Sequence, residues 1–222
     1  MPALSAVVSH TRYTFVPDGV RDLQPTLPAP VVYDVGAGDG PMRAPTEALG
    51  LTWHGFDAWP ANAQIRHWNL DQPCPVPGAA AGIVLLLDVL EHLRNPGLNL
   101  RHIADILLPG GCLLLTTPNP RWSRSRLEAV RTGFLSCFTP DDLALNGHVF
   151  PAWPHIVERL LADTGLQLER YVTLDGRTPW PDRPFSLRYP VRLAHAAANK
   201  LLEWRDPTAC GMSYAMVARK KL

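Results

Sequence analysis

The feature that most constrains this chain is the run Val31-Val32-Tyr33-Asp34-Val35, which ends directly in Gly36-Ala37-Gly38-Asp39-Gly40. A short apolar run without alternation predicts a strand buried on both faces. Glycines placed just after such a strand permit a tight turn and let a ligand approach bare backbone. Pro41, at a tolerated first helical position, and Gly50, at a stop, predict a short helix over 41–49. Strand, glycine turn and helix in that order form the unit from which ligand-binding parallel sheets are built.

The same alternation continues along the chain. LTWHGFD (51–57), IRHWNLD (65–71), GIVLLLD (82–88) and CLLLTTP (112–118) read as strands, and Pro96–Leu107 reads as a helix closed by Pro109-Gly110-Gly111. Only a turn around Ala58-Trp59-Pro60-Ala61-Asn62 fits between the second and third strands, so that face of the sheet is expected to be thinly covered. Trp153–Thr164 reads as a helix, 166–174 as a strand and 211–220 as a closing strand. The fold class is therefore α/β, with a doubly wound, mostly parallel sheet. Residues 1–30, with five prolines, read as an irregular N-terminal arm, and 31–222 as one domain with insertions at about 119–150 and 175–209. In the second insertion Arg188, Arg192, His195, Asn199 and Glu203 recur at helical spacing and predict one polar helix face.

Composition narrows the function. The length of 222 residues suits one large domain, and 21 basic against 20 acidic residues lack the excess of a duplex-binding protein. Cys74, Cys112, Cys137 and Cys210 show no C-x-x-C spacing and are expected to be reduced and structural. The first fifteen residues make a poor signal peptide, and the longest apolar run, Ile83–Leu87, is too short to span a bilayer. A cytoplasmic protein is expected.

Two nucleotide-type cofactors compete for the glycine turn. Asp57 ends the second strand, 17 positions beyond Gly40, where a carboxylate can accept both hydroxyl hydrogens of an adenosine ribose. A dinucleotide loop of the G-x-G-x-x-G type would need its third glycine at 41, where Pro41 stands, and proline removes an amide that would hold a pyrophosphate. S-adenosylmethionine has no phosphate, and its ammonium suits Asp34. Asp71 is expected at the tip of the third strand, where it could accept from an adenine amino group; an ordinary turn role is the alternative.

These residues, taken with Asp88-Val89-Leu90-Glu91-His92 and LLPGGCLLLTTPNP (107–120) in the same order, resemble a class I S-adenosylmethionine-dependent methyltransferase. The resemblance is to the branch that holds the ubiquinone-pathway O-methyltransferases and many small-molecule methyltransferases. It implies a seven-stranded sheet of order 3-2-1-4-5-7-6 with the last strand antiparallel. It also implies that Asp34, Gly36, Ala37 and Gly38 line the methionine end, that Asp57 and Ala58 lie at the ribose, and that Leu70 and Asp71 flank the adenine. Asp88 and Val89 would sit beneath the cofactor, with His92 one helical turn on, either reaching the site or bonding backbone.

Methyl transfer from a sulfonium is an in-line displacement that needs little beyond alignment. A base helps when the acceptor is a hydroxyl, and the branch resembled has a histidine segment where His148 stands. His148 is therefore the candidate catalytic residue, with lid anchoring as its alternative. Arg121, Arg124, Arg126 and Arg131 would lie near the acceptor, as a phosphate or carboxylate site, as a weak membrane-surface contact, or as a solvated face. Glu91 alone is insufficient for a metal, so none is expected. The acceptor class is a small molecule, quinone precursor, lipid or glycan. A nicotinamide-dependent oxidoreductase and a non-catalytic adenosylmethionine-binding module are the competing readings.

Overall fold

A computed structural model describes residues 2–76, 78–181 and 188–222. In chain order the elements are β1 (Ala6–Val7), α1 (Arg12–Leu23), β2 (Val31–Val35), α2 (Arg43–Glu47), β3 (Thr52–Asp57), β4 (Ile65–His67), β5 (Ala81–Leu87), α3 (Pro96–Ile106) and β6 (Leu107–Pro118). There follow α4 (Ser123–Thr132), α5 (Pro140–Asn146), α6 (Pro154–Asp163), β7 (Leu166–Thr173), α7 (Tyr189–Arg205) and β8 (Ser213–Lys220).

The strands form one sheet of order β1-β7-β8-β6-β5-β2-β3-β4. Without β1 this is the expected seven-strand order, and β8 runs antiparallel to both of its neighbours. The eighth strand corrects the expected count. It is a two-residue edge, Ala6 and Val7, laid parallel to Val172 and Thr173.

Residues 1–30 are not an irregular arm. Arg12–Leu23 is helical and buries Phe15, Val16, Val20 and Leu23 against the face of the sheet that carries Val32, Ile83, Leu85 and Leu114. Pro17 inside the helix removes one backbone bond, a cost of about 3 kcal/mol. Each buried side chain returns about 1.5–3 kcal/mol, so the four outweigh the proline. α1 and the short α2 share this face, while α3 and α6 cover the other through Leu100, Ile103, Val157 and Leu161. α1 thus covers the β2, β5 and β6 part of this face from a segment far away in the chain.

Two boundaries differ from expectation. β4 stops at His67, four residues before Asp71, because Asn69 starts a turn in which its Oδ1 accepts the Asp71 amide at 3.0 Å and its carbonyl accepts the Gln72 amide at 2.9 Å. Asp71 is therefore a turn residue and not the tip of a strand. β6 begins at Leu107, since Pro109-Gly110-Gly111 forms an irregularity within the strand; Leu107 pairs with Ala81 and Cys112 with Ile83.

The insertion over 119–150 contains α4 and α5, and the one over 175–209 contains α7; residues 182–187 of the latter lie outside the described residues. α7 carries the expected polar face, and part of that face is buried. Its buried positions are Ala196, Asn199 and Glu203, while Val191 is 72%, Leu201 56% and Trp204 76% exposed. Glu203 is satisfied where it is buried, accepting from Ser123 Oγ at 3.0 Å and from the Thr178 amide at 3.1 Å. A polar strip packed on the start of α4 leaves the apolar residues no place but outside. All four cysteines are free.

Candidate functional site

The carboxyl ends of β2, β3 and β5 meet at the glycine turn. Gly36 and Ala37 donate their amides to the Phe56 carbonyl at 2.8 and 3.0 Å, which folds the turn back over β3. Gly36 takes φ 76°, and a side-chain carbon there would come within 2.2 Å of Val89 Cγ2. Gly38 takes φ 58° and faces open space, with no atom within 4 Å of where a Cβ would lie. Bare backbone with room above it is what close approach by a ligand requires.

Asp57 closes this cradle from below. Its Oδ2 accepts the Gly38 amide at 3.0 Å and its Oδ1 accepts the Trp59 amide at 2.8 Å. An ionised carboxylate has about four acceptor positions, so each oxygen keeps one for a hydroxyl donor. Ala58 lies between, half-buried, and Trp59 is 86% exposed beside it.

Asp34 is 2% exposed and turned to the Trp53 indole, which donates to its Oδ2 at 3.1 Å. Burial raises its carboxyl to about 6, the Trp53 bond opposing and Asp57 adding to the rise. Between about pH 4 and pH 6 the folded protein therefore holds a proton that the unfolded chain has released. The contribution of Asp34 to stability should fall by about 3 kcal/mol as pH rises through that window and stay level above it. Asp34→Asn keeps an acceptor for Trp53 and should flatten this slope. Urea unfolding at a series of pH values checks it, and an unchanged slope would mean that another group carries the linkage.

Leu70 is buried and its carbonyl bonds the His102 ring at 2.8 Å. Asp71 is exposed at the rim and accepts from Asn99 Nδ2 at 3.2 Å. Asp88 stands at the end of β5 with φ 50°, accepts from Thr116 Oγ1 at 2.7 Å and forms an ion pair with Arg12. Val89 packs against Gly36.

A second group of side chains lies just beyond Asp88. His92 and His148 meet edge to face, ring centres 4.8 Å apart. His148 Nδ1 is 2.6 Å from the Cys137 carbonyl, so a protonated Nδ1 donates there and leaves Nε2 as the basic nitrogen. His92 bonds the backbone of Asn146 and Gly147, and burial followed by the His148 charge lowers its pKa. Glu91 is 1% exposed and accepts from Thr117 Oγ1 at 2.9 Å; burial raises its carboxyl to about 7. Ligand atoms of Glu91, His92 and His148 all lie within 4.8 Å of one another, a donor set that could hold a divalent cation.

The structure thus brings Gly36, Ala37, Gly38, Asp57 and Val89 into one cradle. Asp34 lies beneath it, Leu70 and Asp71 lie on the α3 side, and His92 joins His148. Sequence reasoning missed Arg12, Trp53 and the grouping of Glu91 with two histidines. Trp53 stands two residues before Gly55 on a visible strand and could have been found from strand alternation; Arg12 carried no signal at all.

A family described as "Methyltransferase domain" matches residues 8–171. A ubiquinone biosynthesis O-methyltransferase of Bradyrhizobium sp. (strain ORS 278) is 29% identical over 119 residues, 48% of this chain and 47% of that one. One from Maricaulis maris (strain MCS10) is 25% identical over 203 residues, 85% of this chain and 71% of that one. The chain spans about half the length of the first curated relatives it matches. The crystal structure of a SAM-dependent methyltransferase from Archaeoglobus fulgidus superposes with TM-score 0.61 over 94% of each chain at 16% identity, a likeness of fold.

Proposed function

The chain belongs to the methyltransferase-domain family, and from that membership we propose that it transfers a methyl group from S-adenosylmethionine to a small-molecule, quinone-precursor, lipid or glycan acceptor. The observation that carries this reading is the Asp57 carboxylate, bound to the Gly38 amide and still able to accept a ribose diol. The open side of Gly38 fits the cofactor, and no phosphate-binding amide is needed where Pro41 stands. S-adenosylmethionine, when bound, supplies an electrophilic methyl on a sulfonium. The protein's part is to hold donor and acceptor in line, which alone can lower a barrier by about 7–11 kcal/mol.

His148 is the proton acceptor in this reading. The Cys137 carbonyl fixes the tautomer that leaves Nε2 basic, and the His92 ring fixes its plane. His148→Ala is expected to lower turnover on a hydroxyl acceptor by about a hundredfold or more while S-adenosylhomocysteine affinity stays within about twofold. A fully active variant would remove His148 as base. The grouping with Glu91 supports a second reading, in which the same residues hold a cation that polarises the acceptor oxygen. Chelation with EDTA separates the two: activity that survives supports the base, and activity lost and restored by Mg²⁺ or Zn²⁺ supports the metal.

The apolar outer face of α7, with Val191, Leu201 and Trp204, supports a lipid-like acceptor or a weak membrane-surface contact. No described helix is long and apolar enough to cross a membrane. Titration with S-adenosylhomocysteine and with NADH tests the cofactor. Micromolar binding of the homocysteine product alone is expected, and binding of NADH alone would replace this reading with the oxidoreductase. A tracer assay with labelled S-adenosylmethionine on a metabolite and lipid extract separates the enzyme from a non-catalytic module.

A further inference from the structure

A cleft of about 480 Å³, the size of an ordinary ligand pocket, opens between the start of α4 and α7. α4 follows the carboxyl end of β6 directly. α7 is tied to that same end by Asn119, whose Nδ2 donates to the carbonyls of Thr208, Cys210 and Gly211 at 3.0, 3.1 and 3.2 Å. The cleft therefore shares one end of the sheet with the glycine turn, yet no residue of the cradle around Gly36, Gly38 and Asp57 lines it.

Its charge is of one sign. Arg124 from α4 and Arg192 from α7 line it, and Lys200 lies against its Trp180 wall, Nζ 5.1 Å from the ring centre. Among the described residues no carboxylate lines the cleft. Two acids of the same region are engaged elsewhere: Glu203 accepts from Ser123 and Thr178, and Asp206 pairs with Arg121 and Arg126. Arg124 stacks on the Trp122 ring at 5.0 Å and has no carboxylate partner among the described residues. His195 adds a directed donor. Asn199 Nδ2 sits 3.3 Å from its Nδ1, so with Nδ1 accepting, the ring proton is on Nε2. Three cations around one cleft exceed what a single carboxylate neutralises, whereas a diphosphate brings about two to three negative charges.

The wall opposite the charge is flat. Trp180 is 56% exposed and stands between Pro179 and Pro181, whose rings fix their own φ and stiffen the backbone on both sides of it. Lys200 covers one face of the indole. An aromatic ring held out in this way is a platform for a nucleobase, since every base has a π-face to stack.

We propose that the α4–α7 cleft binds a nucleoside diphosphate, its base stacked on Trp180 and its diphosphate held by Arg124, Arg192 and His195. A guanidinium matches phosphate oxygens through paired N–H donors, and the imidazole Nε2–H supplies a further bond. As a binding site the cleft stands by itself. That the nucleotide carries the methyl acceptor to the end of the sheet where the donor binds rests on the methyl-transfer reading above.

Calorimetric titration of the full chain with UDP, uridine and inorganic diphosphate tests the proposal. EDTA in the buffer keeps any cation from bridging diphosphate to Glu91, His92 and His148, and each titration is run with and without saturating S-adenosylhomocysteine. UDP is expected to bind tightest, with uridine and diphosphate each about tenfold weaker or more, and with S-adenosylhomocysteine leaving its affinity unchanged. Arg124 and Trp180 are both exposed, so their variants should fold and bind S-adenosylhomocysteine like wild type. Arg124→Met should weaken UDP and diphosphate alike by about tenfold. Trp180→Ala should weaken UDP by about tenfold and leave diphosphate unchanged. No heat from UDP, or two variants that bind UDP like wild type, would overturn the proposal. So would displacement of UDP by S-adenosylhomocysteine, which would put the nucleotide in the glycine cradle. Binding of UDP without S-adenosylhomocysteine would support the cleft and sink the methyl-transfer reading; the reverse would sink the cleft alone.

Discussion

Gly36→Ala is expected to abolish measurable S-adenosylhomocysteine binding and to destabilise the fold by about 2–5 kcal/mol. Two costs coincide at this position. The backbone sits at φ 76°, where an L side chain costs about 1–2 kcal/mol. The new carbon would also stand 2.2 Å from Val89 Cγ2. Val89 is held between Asp88, itself at φ 50°, and fully buried Leu90, so it has little room to withdraw. Forced overpacking of this kind adds about 1–3 kcal/mol. Relief would come from shifting the turn, which carries the Gly38 amide away from Asp57. Gly50→Ala is the control: φ is 74° there, but nothing lies within 4 Å, so only the backbone cost is expected and binding should survive. Urea unfolding and calorimetry on both variants check the pair. A Gly36→Ala protein that binds like wild type would move the donor site away from this turn.

Asp57→Ala is the second large effect, an expected loss of about a hundredfold in S-adenosylhomocysteine affinity. Two charge-assisted bonds to the ribose would vanish, each of about 1.5–3 kcal/mol before compensation by water. The Gly38 and Trp59 amides would lose their acceptor as well, loosening the turn and the exposed segment after β3. Asp57→Asn keeps one acceptor oxygen and should fall between the two, about tenfold weaker than wild type. Affinity unchanged in the alanine variant would overturn the ribose assignment, whatever its turnover.

The parts of this molecule legible in the chain are the ones that local physics dictates. Apolar runs of strand length ending in turn residues marked β2, β3, β5 and β6. The three glycines of 36–40 marked a turn, because positive φ is a property of a single residue and its neighbours. Asp57 was legible for the same reason, standing at the last position of a visible strand. Asp71 was misplaced because a side-chain turn at Asn69 competes with continuation of the strand, and the three apolar residues in seven did not reveal it. Prolines hid α1, whose stability comes from burial against the sheet and not from intrinsic helix preference.

What only tertiary structure decided are the meetings of residues far apart in the chain: Arg12 with Asp88, His92 and Glu91 with His148, and Ser123 and Thr178 with Glu203. The periodicity of α7 was legible in the sequence and its orientation was not. Spacing reports which residues share a face, but which face turns inward depends on whether the opposing element can satisfy polar groups. Ser123 and Thr178 satisfy Glu203, so α7 buries the Asn199–Glu203 end of its polar strip and leaves Val191, Leu201 and Trp204 outside. Local conformation is written in consecutive residues, whereas the partner of a buried polar group is chosen only when the chain has closed around it.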